Sequence, residues 1–372
     1  MIVWREGRLT TVVREWPGAV EFEADVHDPG AGAWTTCRAL AYPDLVGRPE
    51  PGDLVLLNTT ALELGLGTGG YAMVIAVPGR MLSGECLGPG HLVKARYTPH
   101  QAAVLGVDEQ GSPHHELLRD ADDLSGMPVV VADLHSALPA VVAGVRADRP
   151  GTRVVYVMTD GGALPAWFSM TVAGLREAGW IEACISVGQA FGGDAEAVSL
   201  HTGLLAAQRV HNAEVAVVVQ GPGNLGTGTR WGFSGVAAGE AVNAAAVLGG
   251  RPVAALRISG ADPRSRHRGV SHHSLTAYGR VALAAADVVV PRLPARLSVL
   301  DAEVRGQAAT LRAPKGRHRL VDVRTDGLQE ALRGCPVRLS TMGRGLDDDP
   351  AAFLASAAAG RHASALLTAA TR

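Results

Sequence analysis

Between Asp262 and His273 the chain reads Asp-Pro-Arg-Ser-Arg-His-Arg-Gly-Val-Ser-His-His, with three arginines and three histidines in twelve residues. Arginine holds oxyanions through paired, charge-assisted hydrogen bonds. Histidine moves protons near neutral pH or ligates a metal. Arg264 and Arg266 are therefore candidate anion clamps, and His267, His272 and His273 candidate acid–base groups. Asp262 is either a catalytic carboxylate or the partner of a neighbouring arginine.

Upstream, Gly221-Pro-Gly-Asn-Leu-Gly-Thr-Gly-Thr229 follows an apolar strand and precedes a small-residue helix. Backbone N–H groups in such a loop carry partial positive charge and can hold a phosphate or carboxylate. Gly221, Gly223, Asn224, Gly226, Thr227, Gly228 and Thr229 are the candidate ligand-binding residues; the plainer alternative is a tight packing loop. Neither a Walker A motif nor a dinucleotide fingerprint is present.

Asp160-Gly161-Gly162 and Phe191-Gly192-Gly193-Asp194 each set a carboxylate beside glycines just past a strand, where a ligand or metal could approach. Two carboxylates near histidines could hold a divalent cation that activates water. Asp194 fits equally well as a helix cap. His135 is read as a site-lining residue and Ser136 as a cap, because neighbours on a helix point in different directions. Lys94 and Arg96 share one face of a short strand and read as a solvated edge.

Positioning these groups falls to an alternation of apolar strands and helical stretches from Pro128 onward. Strands are expected at 129–132, 153–158, 181–187, 215–220, 253–259 and 287–290, with helices at 136–147, 166–178, 195–211, 235–248 and 274–285. Near-continuous Val and Ile runs alternating with helices indicate a mostly parallel sheet with helices on both faces. Helix-to-strand connections are short, whereas strand-to-helix connections are long and carry the polar motifs. In a parallel sheet those long loops share the carboxyl edge, where open α/β folds bind ligands. Residues 301–307 and 317–324 suggest further strands, and the alanine-rich 350–370 a helix packed on the outside or on a partner.

Residues 1–105 instead alternate in twos with Glu-Gly and Pro-Gly turns, as in a small all-β, barrel-like domain. Within it, Ala61–Gly70 is a glycine-rich loop read as a hairpin tip or a lid. The expected organisation is a β-domain at 1–105, a connecting segment at 106–127, an α/β domain at 128–345 and a helical tail at 346–372.

The 372 residues carry a net charge of −2, which gives no general attraction to nucleic acid or an anionic membrane. Cys37, Cys86, Cys184 and Cys335 form no CxxC pair, which suits a reducing compartment. A signal-peptide core and an apolar run of membrane-spanning length are both lacking, so a cytoplasmic location is expected.

Six phrases together resemble the bacterial family known as domain of unknown function 3866. They are Asn58-Thr-Thr with Leu64–Gly70, Asp133-Leu-His-Ser136, Met158–Pro165, Ala190–Glu196, Gly221–Thr229 and Arg264–His273. The resemblance implies an architecture of this kind along most of the chain and supplies no activity or catalytic residue.

The residues themselves favour an enzyme, a hydrolase or group transferase, acting on a small anionic substrate that is phosphorylated or nucleotide-like. A metal-dependent hydrolase using Asp160, Asp194 and His272 or His273 is the first alternative, and a non-catalytic ligand-sensing or scaffold protein the second. The cofactor is left open: a divalent metal is a candidate, and no nicotinamide or flavin signature is visible. Self-association is left open as well.

Overall fold

The computed structural model describes residues 2–28, 30, 32–66, 69–80, 90–313 and 316–369. Gly67 and Thr68 of the N-terminal glycine loop, Cys86 and Ala370 lie outside them. The chain divides into two compact units: Met1–Pro89 with Ala95–Ala103, and Gly90–Lys94 with Val104–Arg372.

The first unit is a closed barrel of β1 (Trp4–Trp16), β2 (Ala19–Asp28), β3 (Ala33–Ala41), β4 (Leu54–Asn58) and β5 (Tyr71–Ala76), in the order β1-β2-β3-β5-β4. The Glu6-Gly7 pair, expected as a turn, lies inside the single strand β1. Gly7 is the reason: a Cβ there would sit 2.6 Å from Cδ1 of Leu57, so the bare backbone lets the strand bend over the core without breaking. Leu9, Phe22, Ala24, Leu57 and Ala72 fill the interior.

The second unit is built on an eight-stranded, wholly parallel sheet. Its strands are β6 (Pro128–Val131), β7 (Val154–Thr159), β8 (Ala183–Ser186), β9 (Ala195–Glu196), β10 (Val215–Gln220), β11 (Arg251–Ala255), β12 (Asp287–Arg292) and β13 (Arg319–Arg324). Every residue of β6 and β10 is buried. Alternate side chains point to opposite faces, so both faces must be covered. The cover comes from α1 (Leu138–Asp148), α2 (Met170–Glu177), α3 (Leu200–Arg209), α4 (Ala237–Val247), α5 (His272–Thr276), α6 (Ser298–Ala308), α7 (Leu328–Arg333) and α8 (Pro350–Ala369). None of the described helices is long and apolar enough to cross a membrane.

Several expectations need correction. Residues 301–307 belong to helix α6, because Leu300, Val304 and Ala308 recur every four residues and all three are buried. The segment 253–259 is two pieces: β11 ends at Ala255, and Ile258–Ser259 leaves the sheet to pair antiparallel with Gly269–Val270. Ala195–Glu196 is an edge strand, and α3 starts only at Leu200, with the Ser199 side chain as its cap. Helix α8 is an interior element, with Phe353, Leu354, Ala355 and Ala357–Ala359 all buried. It crosses α1 at glycines: a Cβ on Gly144 would lie 1.9 Å from the Ala357 carbonyl, and one on Gly360 1.9 Å from that of Val141. Val107, Leu118, Leu124 and Met127, from the stretch read as a connector, join the same core.

In sheet order the strands run β9-β8-β7-β10-β6-β11-β12-β13. The chain steps outward from β6 through β7 to β9, returns to insert β10 between β7 and β6, then continues from β11 on the other side of β6. Loops leaving β6, β10 and β11 therefore meet where the winding reverses, the place at which such sheets form a crevice.

Candidate functional site

Asp133 enters this crevice two residues past β6 and is 3% exposed. Arg257, two residues past β11, brings Nη1 to 3.8 Å from Asp133 Oδ2, and Nδ1 of His273 lies 3.5 Å from the same oxygen. The short pairing of Ile258–Ser259 with Gly269–Val270 folds the Arg/His loop back on itself. Gly269 makes that return with φ 63°, and Gln307 occupies the space a Cβ would need, its Oε1 atom 2.3 Å from that position. Ser271 then caps α5, accepting from the His273 N–H.

The return brings three imidazoles together. The His267 ring centre is 5.0 Å from each of the other two, and His272 and His273 are 4.4 Å apart. Phe233, from the loop after β10, stacks flat on His273 at 3.8 Å and 3°. One donor atom from each imidazole lies within 4.8 Å of the others, and this is the one such group of three or more among the described residues. Nδ1 of His267 is held by the Ser271 hydroxyl at 2.8 Å. Nδ1 of His273 faces both Arg257, at 3.0 Å, and Asp133. Arginine only donates and so asks for a bare Nδ1, whereas the carboxylate asks for a protonated one.

The charges follow from burial and neighbours. Burial pushes the Asp133 carboxyl up, but the nearby His273 imidazole and the charge of Arg257 outweigh it and hold it below the usual range. Burial, reinforced by the Arg257 and Arg264 charges, takes His267 down to about 3. Burial and the neighbouring His273 take His272 down to about 4. His267 and His272 are therefore neutral at pH 7. Among the buried atoms with no hydrogen-bond partner are Oδ2 of Asp133, Nε2 of His272 and, beside them, Oε1 of Gln220.

Arg264 and Arg266, two residues apart, are used differently. Asp262 accepts from Nε and Nη2 of Arg264 at 2.9 and 2.8 Å and from Arg344 at 3.2 Å. Those bonds, Arg264 first, keep its carboxyl far below the usual range and tie both partners up. Arg266 instead lines an open cavity of about 720 Å³ with Arg230, Arg280, Thr276, Thr310 and His272. Arg230, Arg266 and Arg280 make no ion pair among the described residues.

The glycine loop does not run straight into a helix. Thr227 N–H donates to the Gly232 carbonyl, Leu225 N–H to the Ser234 hydroxyl, and Gly226 bridges to Phe233, so the loop is a small hairpin followed by α4. Gly228 at its tip approaches Arg266, and the Thr227 and Thr229 hydroxyls contact each other at 3.1 Å. Gly223 has φ 89°. Asn224 accepts from Gln220, which also donates to the Asp133 carbonyl. Gly161, Gly162 and Gly221 make room for neighbouring loops: a Cβ would collide with Gln220, with the Gly221 carbonyl, and with the Ala163 carbonyl respectively.

The other candidates are occupied elsewhere. Asp160 accepts from the Gln189 N–H at 2.9 Å, closing the turn at Gly188. Asp194 pairs with Arg176 at 2.9 Å and accepts from the Cys184 N–H. Neither carboxylate joins the imidazole group. Gly192, at φ 83°, packs on Trp167, and Gly193 packs against Cys184 and Ser186. Both ring nitrogens of His135 are engaged, by Tyr156 at 3.2 Å and Ser169 at 2.7 Å, and burial takes its pKa down to about 4. Lys94 is no solvated edge. It is 2% exposed, donates to the Ala190 and Ala197 carbonyls, and lies 3.5 Å from Glu196.

Asp133, Arg257, Ser271, Phe233, Arg230 and Arg280 are the residues that motif reasoning passed over. Asp133 left a signal, standing directly after a strand in the same phrase as His135, and Ser271 lies within the Arg/His motif itself.

Among curated proteins none matches the chain. The family described as protein of unknown function (DUF3866) matches residues 38–360, most of the first unit and nearly all of the second. The chain belongs to that family.

Proposed function

We propose that the second unit is an enzyme, a hydrolase or group transferase, whose substrate is a small anion of the phosphorylated or nucleotide-like kind. The observation that carries this reading is the cavity in which Arg230, Arg266 and Arg280, without carboxylate partners among the described residues, stand around His272. Three arginines line one open space, where an anion would find their charges uncompensated. Arginine's fixed fork suits phosphate and carboxylate oxygens. The glycine hairpin, through Gly228 and Arg230, forms one wall of this cavity.

His267 and His272 are poor proton carriers at neutral pH, since efficient acid–base groups titrate near the working pH. Their depressed pKa values keep them neutral. Such imidazoles serve better as lone-pair donors, and this moves the catalytic role away from simple proton transfer by the loop histidines.

A thermal-shift screen of phosphorylated metabolites and nucleotides tests the reading. A true ligand at a hundredfold over its Kd should add about 2.7 kcal/mol to stability. Arg266→Ala and Arg280→Ala should each weaken the binding about tenfold to a hundredfold, as expected for losing a charged hydrogen bond. Failure of every anion to stabilise the folded protein would end this reading.

A further inference from the structure

We propose that His267, His272 and His273 bind one divalent transition metal ion of the zinc class through their Nε2 atoms. Three features argue for it independently of any substrate. First, the donors are close enough. A tetrahedral ion with bonds of about 2.0 Å needs donors roughly 3.3 Å apart, and one ring nitrogen from each of the three lies within 4.8 Å of the other two, so small ring rotations close the set.

Second, the ring orientations are already fixed from behind. Ser271 holds Nδ1 of His267, and Asp133 faces Nδ1 of His273, which leaves the Nε2 atoms as the metal donors. A carboxylate or hydroxyl behind a ligating imidazole is the arrangement that sets its tautomer and strengthens it as a donor.

Third, one ion gives partners to two of the unpartnered buried atoms, on His272 and Asp133. A metal on His272 Nε2 gives that nitrogen its missing partner. A metal on His273 Nε2 puts the ring proton on Nδ1, aimed at Asp133 Oδ2, the orphaned oxygen. With Nδ1 protonated, Arg257 can no longer donate to it and must turn to the Asp133 carboxylate, 3.8 Å away.

The chemistry of the set selects the ion. Three neutral nitrogens and no oxygen ligand suit zinc, cobalt, nickel or copper and disfavour calcium and magnesium. Three histidines with a remaining open position are the ligand count of catalytic rather than structural zinc sites. Asp133 acts here as a positioning residue, through His273.

The test uses the full chain, stripped with a chelator, dialysed and titrated with Zn²⁺ by calorimetry and with Co²⁺ by visible absorption. One ion per chain and the intense d–d bands of tetrahedral cobalt are expected. His272→Ala should abolish both, and Asp133→Asn should weaken affinity tenfold to a hundredfold while leaving the stoichiometry at one. His267→Gln serves as a second variant if His272→Ala does not fold. Folded wild-type protein that takes up neither ion, or uptake unchanged in these histidine variants, would overturn the site. Arg266→Ala should leave metal uptake intact, so loss of anion binding and loss of metal binding are separately visible.

Discussion

Replacing Asp133 by Asn tests whether the crevice rests on a buried ion pair. The side chain is 3% exposed and that of Arg257 11%, so neither charge can turn to water. At their separation of 3.8 Å, Coulomb attraction at an effective dielectric of 20 is about 4 kcal/mol. Removing one member of a buried pair costs about 3–5 kcal/mol, because the survivor stays buried without compensation. Both routes give the same expectation for Asp133→Asn in metal-free protein. The chain has two units, so the readout should be hydrogen exchange at the buried amides of β6 and β10 along a urea titration, which reports the second unit alone. Arg257→Met should cost a comparable amount. The Asp133→Asn/Arg257→Met double variant should recover part of the loss, since it leaves no unpaired charge. A loss under about 0.5 kcal/mol for Asp133→Asn, or strictly additive costs in the double variant, would show that the pair is not what holds these loops.

Two further outcomes follow from the fold. His135 has a folded pKa near 4 against about 6.5 when unfolded. The unfolded chain therefore binds the extra proton between those values, and stability should be full above about pH 7 and fall as pH drops from 6.5 toward 4. His135→Gln should reduce that slope, to which His267 and His272 also contribute, in acid denaturation curves, and an unchanged slope would exclude His135 as a source. Gly360→Ala should lower the melting temperature of the second unit by several degrees. A Cβ 1.9 Å from the Val141 carbonyl forces α8 away from α1, and overpacking of this kind costs about 1–3 kcal/mol or more. A calorimetric scan showing no change would mean the helices cross more loosely than described.

The sheet was legible because burial on both faces writes itself into a strand. Val215–Val219 is apolar at every position, and no surface strand would be. Once the strands were known to be parallel, the shared edge of their loops followed. Helix α6 was misread because Asp301–Gln307 alternates polar and small residues, while its true period shows only when Leu300, Val304 and Ala308 are taken together. Roles within the site were harder to read. Arg264 and Arg266 look alike in sequence, yet one is neutralised by Asp262 next to it and the other opens onto the cavity. Asp133 gains its meaning from Arg257 and His273, more than a hundred residues downstream, and no local pattern announces such a partner. Several glycines read as room for a ligand turned out to be room for the protein's own backbone, as at Gly162 and Gly221.

Helix α8 has a consequence for biosynthesis. The sheet strands begin to emerge some two hundred residues before Phe353, Leu354 and Ala357, which seal them. At a translation rate of roughly 5–20 residues per second, β6 waits for ten seconds or more with its apolar side uncovered. Throughout that interval the nascent body is a sticky intermediate that relies on chaperones or fast local collapse. Premature termination before residue 350 should therefore yield inclusion bodies rather than a shorter, milder version of the protein.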